Sequence, residues 1–158
     1  RIVNGGFIAA TNFGAVSGGP IVVRAGNITL DSGGQISAGS YANETGGVGS
    51  IDVLAAHDLI MNNGAFIQSL SGSLGGSLST VADIQIKAQN IKLDNTAYVY
   101  SAALNDTVAN GANIKLSATE GLSIDHGASV STSAYAKGDA GPIQSPAAKG
   151  PIANTSQG

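Results

Sequence analysis

The 158-residue chain contains no cysteine and no tryptophan, and it is poor in aromatic residues (4 %) and in charged ones (11 %). Without cysteine there is no disulfide framework and no thiolate metal site. An ordinary core of this length takes much of its burial from large aromatic side chains, so their scarcity argues against one. Basic residues are few and scattered: 7 Lys and Arg stand against 10 Asp and Glu, for a net charge of −3 and a pI near 5.0. Phosphate binding needs concentrated Lys and Arg, so no nucleic-acid partner is expected. No apolar run approaches the roughly 20 residues that span a bilayer, so no membrane insertion is expected. The chain opens on Arg1, with neither Met nor a signal peptide, which reads as a processed start or a fragment.

What the chain does have is glycine, 23 of them, together with Ala, Ile, Val and Leu set among Ser, Asn and Thr. That is too apolar for disorder, and it suits a thin, repetitive core. One short pattern recurs as Ile21-Val22-Val23-Arg24-Ala25, Ile51-Asp52-Val53-Leu54-Ala55, Ile84-Gln85-Ile86-Lys87-Ala88 and Ile114-Lys115-Leu116-Ser117-Ala118, with a weaker copy from Ile143. A second element follows each: Ile28-Thr29-Leu30, Leu59-Ile60-Met61, Ile91-Lys92-Leu93 and Leu122-Ser123-Ile124. A third is centred on Ile8, Ile36, Ile67, Val99 and Val130. All three alternate apolar with mostly polar residues, the period of a half-buried strand.

Elements two and three are joined by a repeated turn: Asp31-Ser32-Gly33-Gly34, Asn62-Asn63-Gly64-Ala65, Asp94-Asn95-Thr96-Ala97 and Asp125-His126-Gly127-Ala128, with Val3-Asn4-Gly5-Gly6 in the same frame. Asp and Asn bond their own backbone in turns, and Gly accepts positive φ. Thr96 interrupts the Gly column, so its turn is expected to be strained or differently shaped. Variable Gly/Ser/Ala/Asn-rich loops lead from each element three to the next element one.

Three short strands in a period of about 30 residues specify a coil of a parallel β-helix. The expected fold is all-β: a right-handed parallel β-solenoid of about five coils of roughly 30 residues, each with three short strands. The solenoid is expected over residues 1–141, starting in mid-coil. A weak last strand and a Pro/Ala/Gly-rich irregular tail are expected over 142–158. Inward positions are Ile21, Val23, Ala25, Ile28, Leu30, Ile36 and their equivalents.

The stretch from Gly49 to Ser69, and again that from Gly111 to Ser131, follows the frame G-x-I-x-I-x-A-x-x-I-x-L-x-x-G-A-x-I-S with small shifts in spacing and with Val, Leu or Met at several of its apolar positions. It resembles the repeats of large bacterial exoproteins of the filamentous-haemagglutinin type, exported by two-partner secretion, and covers the chain to about Gly141. The resemblance implies a β-helix that is secreted or held at the cell surface, often in adhesion. The family's amino-terminal secretion domain is not visible in this chain.

No arrangement of residues points to catalysis, to a cofactor or to a metal. Asp31, Asn62, Asp94 and Asp125 form an acidic and amide ladder of a kind a polysaccharide lyase or hydrolase could use, but their place before Gly favours a turn-forming role. Lone cations such as Arg24 and Lys92 do not complete a lyase site. Gly46-Gly47-Val48-Gly49-Ser50-Ile51 lacks the Asp and the nine-residue period of a calcium-binding β-roll. His57 and His126 lack a second ligand at metal-binding spacing. Phe66, Tyr98 and Tyr100 stand on outward positions of element three, where stacked aromatics can bind a sugar ring or a partner protein or simply brace neighbouring strands. Four Asn-x-Ser/Thr sequons occur, at Asn27, Asn43, Asn105 and Asn154; the loop residues Asn43 and Asn105 are the candidate glycosylation sites.

The function expected is that of a non-enzymatic extracellular or cell-surface segment serving attachment or cohesion. Its partners would be host or matrix glycans or proteins, and other copies or flanking repeats joined through uncapped solenoid ends. Two alternatives are a self-assembling filament subunit with head-to-tail coil stacking and a β-helical polysaccharide lyase or hydrolase.

Overall fold

The structure, a computed structural model, describes residues 1–14, 16–41, 46–72, 81–104, 111–135, 138–146 and 152–155. Among them the chain runs through β1 (Ile2–Val3), β2 (Phe7–Asn12), β3 (Ile21–Ala25), β4 (Ile28–Asp31), β5 (Gln35–Ser40), β6 (Ile51–Ala55), β7 (Asp58–Met61), β8 (Phe66–Gly72), β9 (Ile84–Leu93), β10 (Tyr98–Leu104), β11 (Ile114–Asp125), β12 (Ser129–Ala134), β13 (Ile143–Gln144) and β14 (Ile152–Thr155), with no helix. Every pairing is parallel, each strand lying beside its equivalent one repeat away. The chain is a parallel β-solenoid. Element three forms a 5-stranded sheet in the order β12-β10-β8-β5-β2, and elements one and two share a 9-stranded sheet.

The solenoid makes about 4 turns rather than the five expected. The five leading Ile residues bound only four complete coils, and the last begins poorly. Ile143 is 47 % exposed and β13 is two residues long, between Pro142 and Pro146. Ile152–Thr155, within the stretch read as a tail, pairs with Leu122–Asp125 as an element-two strand. Elements one and two are separate strands in the earlier coils but run on as one in β9 and β11. At that corner the backbone amides of Gln89 and Asn90 both donate to the carbonyl of His57, at 2.8 and 3.2 Å, which absorbs the extra residue of the neighbouring coil. A matching register shift in β11 lies between Ala118 and Gly121.

Inward columns build the core as the alternation requires, except in β3, where no earlier coil covers the strand and Val23 is half-buried and Ala25 exposed. Ile51, Ile84 and Ile114 stack as one column and Leu30, Met61 and Leu93 as another, each fully buried. Element three adds Ile36, Ile67 and Val99. The same face carries buried hydroxyls that hold the returning backbone: Ser40 donates to Gly46 O (2.9 Å) and Ser101 accepts from Ala112 N (3.2 Å). Ser69, next in register to Ser101, has no partner.

The turns between elements two and three keep one shape through five successive copies. Both central residues have positive φ: Asn4 and Gly5, Ser32 and Gly33, Asn63 and Gly64, Asn95 and Thr96, His126 and Gly127. Each is closed by a bond from the fourth residue to the first carbonyl, as in Ala97 N to Asp94 O at 3.1 Å. Such turns favour Asn or Asp followed by Gly, because a side chain at positive φ meets its own backbone. Thr96 nevertheless takes φ 62°, close to the 69° of Gly64 below it. Its turn is therefore strained and not reshaped, since hydrogen bonds tie it to both neighbours: Thr96 N to His126 O and Gly64 N to Asn95 O, both 3.1 Å. Removing the β-branched side chain relieves that strain. Thr96→Gly is expected to stabilise the fold by about 1 kcal/mol and Gly64→Thr to destabilise it by about 1–2 kcal/mol. Urea midpoints read both, and a weakened Thr96→Gly would show that the threonine side chain holds the turn.

Candidate functional site

Two edges of the solenoid carry the polar and aromatic residues that pattern reasoning singles out. On the outer face of the element-three sheet, β8 and β10 pair Phe66 with Tyr98 and Gln68 with Tyr100. Successive positions of a strand point to opposite faces, so Ile67 and Val99 fill the core while Phe66, Tyr98 and Tyr100 look outward. The in-register pairing lays one ring on the other: Phe66 and Tyr98 stack with centroids 4.9 Å apart and planes 4° from parallel. Both are half-buried. Tyr100 stands two residues along and donates to the Tyr135 hydroxyl at 3.2 Å, and Tyr135 is itself 68 % exposed. Burial pushes the Tyr98 hydroxyl above its ordinary value of 10.0, and burial followed by the Tyr135 bond does the same for Tyr100. The strip is therefore uncharged at neutral pH: flat apolar faces edged by hydroxyls that donate and accept.

The second edge is the stack of turns. Asp31, Asn62, Asp94 and Asp125 occupy the first position of successive turns, and the side chains of Asp31 and Asp94 are taken up by residues of the coil that follows. Asn63 donates to Asp31 across 2.8 Å, and Asn95 donates to Asn63. Asp94 receives the Lys92 ammonium at 2.9 Å on one oxygen and His126 Nδ1 at 2.7 Å on the other. Asn62 and Asp94 also accept from the next backbone amide, each at 2.9 Å. This is the behaviour of a turn-forming ladder. The Asp94–His126 contact was not foreseen, because the two residues lie in different columns, one coil apart. The signal was present in the offset: the second residue of a turn can reach the first residue of the turn one coil earlier, as Asn63 reaches Asp31.

The remaining candidates do not join these two sites. His57 Nδ1 lies 3.3 Å from Gln89 Oε1 at the other corner. Asn27 accepts from the Asp58 amide at 3.2 Å, so that sequon has a structural contact. Asn43 and Asn105 lie outside the described residues, and Asn154 falls in β14. No group of three or more His, Cys, Asp or Glu that could hold a metal ion occurs among the described residues. Comparison with protein-family models, with curated proteins and with solved structures gives no match in any of the three.

The Asp94 carboxyl lies below its ordinary value of 3.8, chiefly because Lys92 hydrogen-bonds it and next because His126 does. The Asn63 amide lowers Asp31 in the same way. A carboxyl depressed in the folded state adds stability in full above its unfolded value, and loses it as pH falls through the folded one. Asp94→Asn is therefore expected to lower the urea midpoint at neutral pH, with the difference from the parent chain shrinking below pH 3.8. A gap of the same size at about pH 3 would show that charge is not what Asp94 contributes.

Proposed function

We propose that this chain is a non-enzymatic structural and adhesive segment of a bacterial exoprotein, carried outside the cell and serving attachment or cohesion through its aromatic strip. The observation that carries this reading is the stack of Phe66 on Tyr98 beside the Tyr100–Tyr135 hydroxyl pair. The strip lies on a parallel sheet whose register leaves it little freedom, so its rings are ordered before any partner arrives, which lowers the entropy lost on binding. Its chemistry suits the C–H face and hydroxyls of a sugar ring, or an aromatic-rich protein patch. The occupied Asp31 and Asp94 support a structural role for the neighbouring edge. The test is a glycan array together with plates coated in matrix proteins, probed with the purified chain and with a Phe66→Ala/Tyr98→Ala variant. An aromatic anchor contributes about 2 kcal/mol, so the variant should bind more than about tenfold more weakly. It should also keep its circular-dichroism spectrum while losing about 1 kcal/mol of stacking. Undiminished binding by the folded variant would sink the reading.

A second reading has its own observation. β2 pairs with β5 on one side only, and Ile8, whose partners Ile36 and Ile67 are wholly buried in the same inward column, is 38 % exposed beside Phe7 at 70 %. An open strand edge beside an uncovered apolar column accepts another coil, either from flanking repeats or from a second copy of the chain. In the filament form of this idea, negative-stain microscopy at rising concentration should show rods that lengthen, and Ile8→Lys should abolish them. Short dispersed particles at every concentration would dispose of the filament.

A further inference from the structure

The outer face of element one, which pattern reasoning passed over, gathers most of the positive charge in the described solenoid. Arg24, Lys87 and Lys115 all project from it, and among the described residues none of the three makes an ion pair, whereas Lys92 on element two is paired with Asp94. Register places them in two neighbouring columns. Arg24, Leu54 and Lys87 are stacked in one, and Asp52, Gln85 and Lys115 in the other. Arg24 and Lys87 are thus two rungs apart, about 10 Å along the solenoid axis, with Lys115 one rung further on in the adjacent column.

Between them the surface is concave. A groove of about 260 Å³ is lined by Val22, Arg24, Asp52, Leu54, Gln85 and Lys87. Gln85 is shared with a second hollow of about 140 Å³ that reaches Lys115. The groove has an apolar floor, with Val22 46 % and Leu54 42 % exposed. Asp52 stands among the cations, held 3.3 Å from the Ser50 hydroxyl. Asp83, at the far hollow, is occupied by two 3.0 Å bonds from Asn113.

This combination selects a chemistry. Arg and Lys that lack partners favour carboxylates, and charge-assisted bonds are the stronger ones. Exposed Val and Leu favour the C–H faces of a ring. Asp52 and Gln85 accept from and donate to hydroxyls. A neutral glycan would leave the cations unused, and a plain polyanion would leave the apolar floor and the hydroxyl-seeking Asp52 and Gln85 unused. Alternation of positive charge with hydroxyl-seeking groups fits a chain whose carboxylates are separated by hydroxyl-rich stretches. We propose that this face, from Arg24 to Lys115, binds an acidic polysaccharide containing uronic acids, laid along the solenoid axis across successive coils. The site is separate from the aromatic strip and does not depend on its role.

Affinity electrophoresis or calorimetry with polygalacturonate tests this, with dextran as the neutral control and poly-glutamate as the charge control. Polygalacturonate should bind, more weakly as salt rises, while dextran and poly-glutamate bind at least about tenfold less well. Arg24→Ala/Lys87→Ala should lose about tenfold or more while keeping its thermal midpoint. Phe66→Ala/Tyr98→Ala should leave binding unchanged, so failure here is distinguishable from failure of the aromatic strip. Equal binding of dextran or poly-glutamate, or full affinity in Arg24→Ala/Lys87→Ala, would each overturn the proposal.

Discussion

Hydrogen bonding between a strand and its equivalent about 30 residues away is the interaction on which the remaining structure depends. One coil has no core of its own, because its inward residues face across a space too thin to exclude water until another coil covers them. The parallel ladder supplies that cover and imposes register at the same time. Once Ile51 lies beside Ile84, Val53 must lie beside Ile86, and the outward residues between them are matched as well. A slip of one residue would turn every inward side chain to solvent. Burial and register are thus one constraint, and both the core and the surfaces inherit it.

That constraint explains why so little charge is present. Residues in a column stand about 4.8 Å apart, where like charges repel and are poorly relieved on a crowded sheet. The outward columns accordingly alternate. Leu54 separates Arg24 from Lys87. In the turn column Asn62 separates Asp31 from Asp94. The turn position where two acids do follow each other, Asp94 and Asp125, is the one supplied with Lys92 and His126. A chain with 11 % charged residues is what such spacing permits.

The same constraint decides what could be read from the sequence. Inward columns were legible because alternation is local: Ile28 and Leu30 declare their face whatever coil they join. The turn column was legible because Asn63-Gly64 and its equivalents repeat a pair that favours positive φ, and even the exception at Thr96 was visible as a break. The number of complete turns was less so, because Ile143 begins an element that the following residues do not sustain. Continuity of β9 and β11 was hidden, since the corner is met in β9 by Gln89 and Asn90 sharing one carbonyl of the adjacent coil and in β11 by a register shift between Ala118 and Gly121. The stack of Phe66 on Tyr98 could be foreseen from register, whereas the Asp94–His126 contact crosses columns and needs the shape of the turn. The groove beside Arg24 was overlooked because its members are scattered through the sequence and are collected only when coils superpose.

Surface chemistry on such a scaffold is generated in a particular way. Alternation that keeps like charges apart leaves each cation beside a neutral residue above and below, so intercoil pairing does not consume it. On the turn edge the opposite holds. There the side chains are short, positive φ directs them along the stack, and Asn63, Asn95 and His126 each reach the coil before. One edge therefore spends its polar groups on cohesion, while the face of element one leaves Arg24, Lys87 and Lys115 available for the contacts proposed above. Repetition then sets the geometry of those contacts: an outward feature recurs at whole multiples of the rung spacing, so a ligand that is itself a periodic chain can meet several of them at once. Each added rung contributes another weak contact at fixed separation, and their sum, not any enclosed pocket, is what gives an open face of this kind useful affinity.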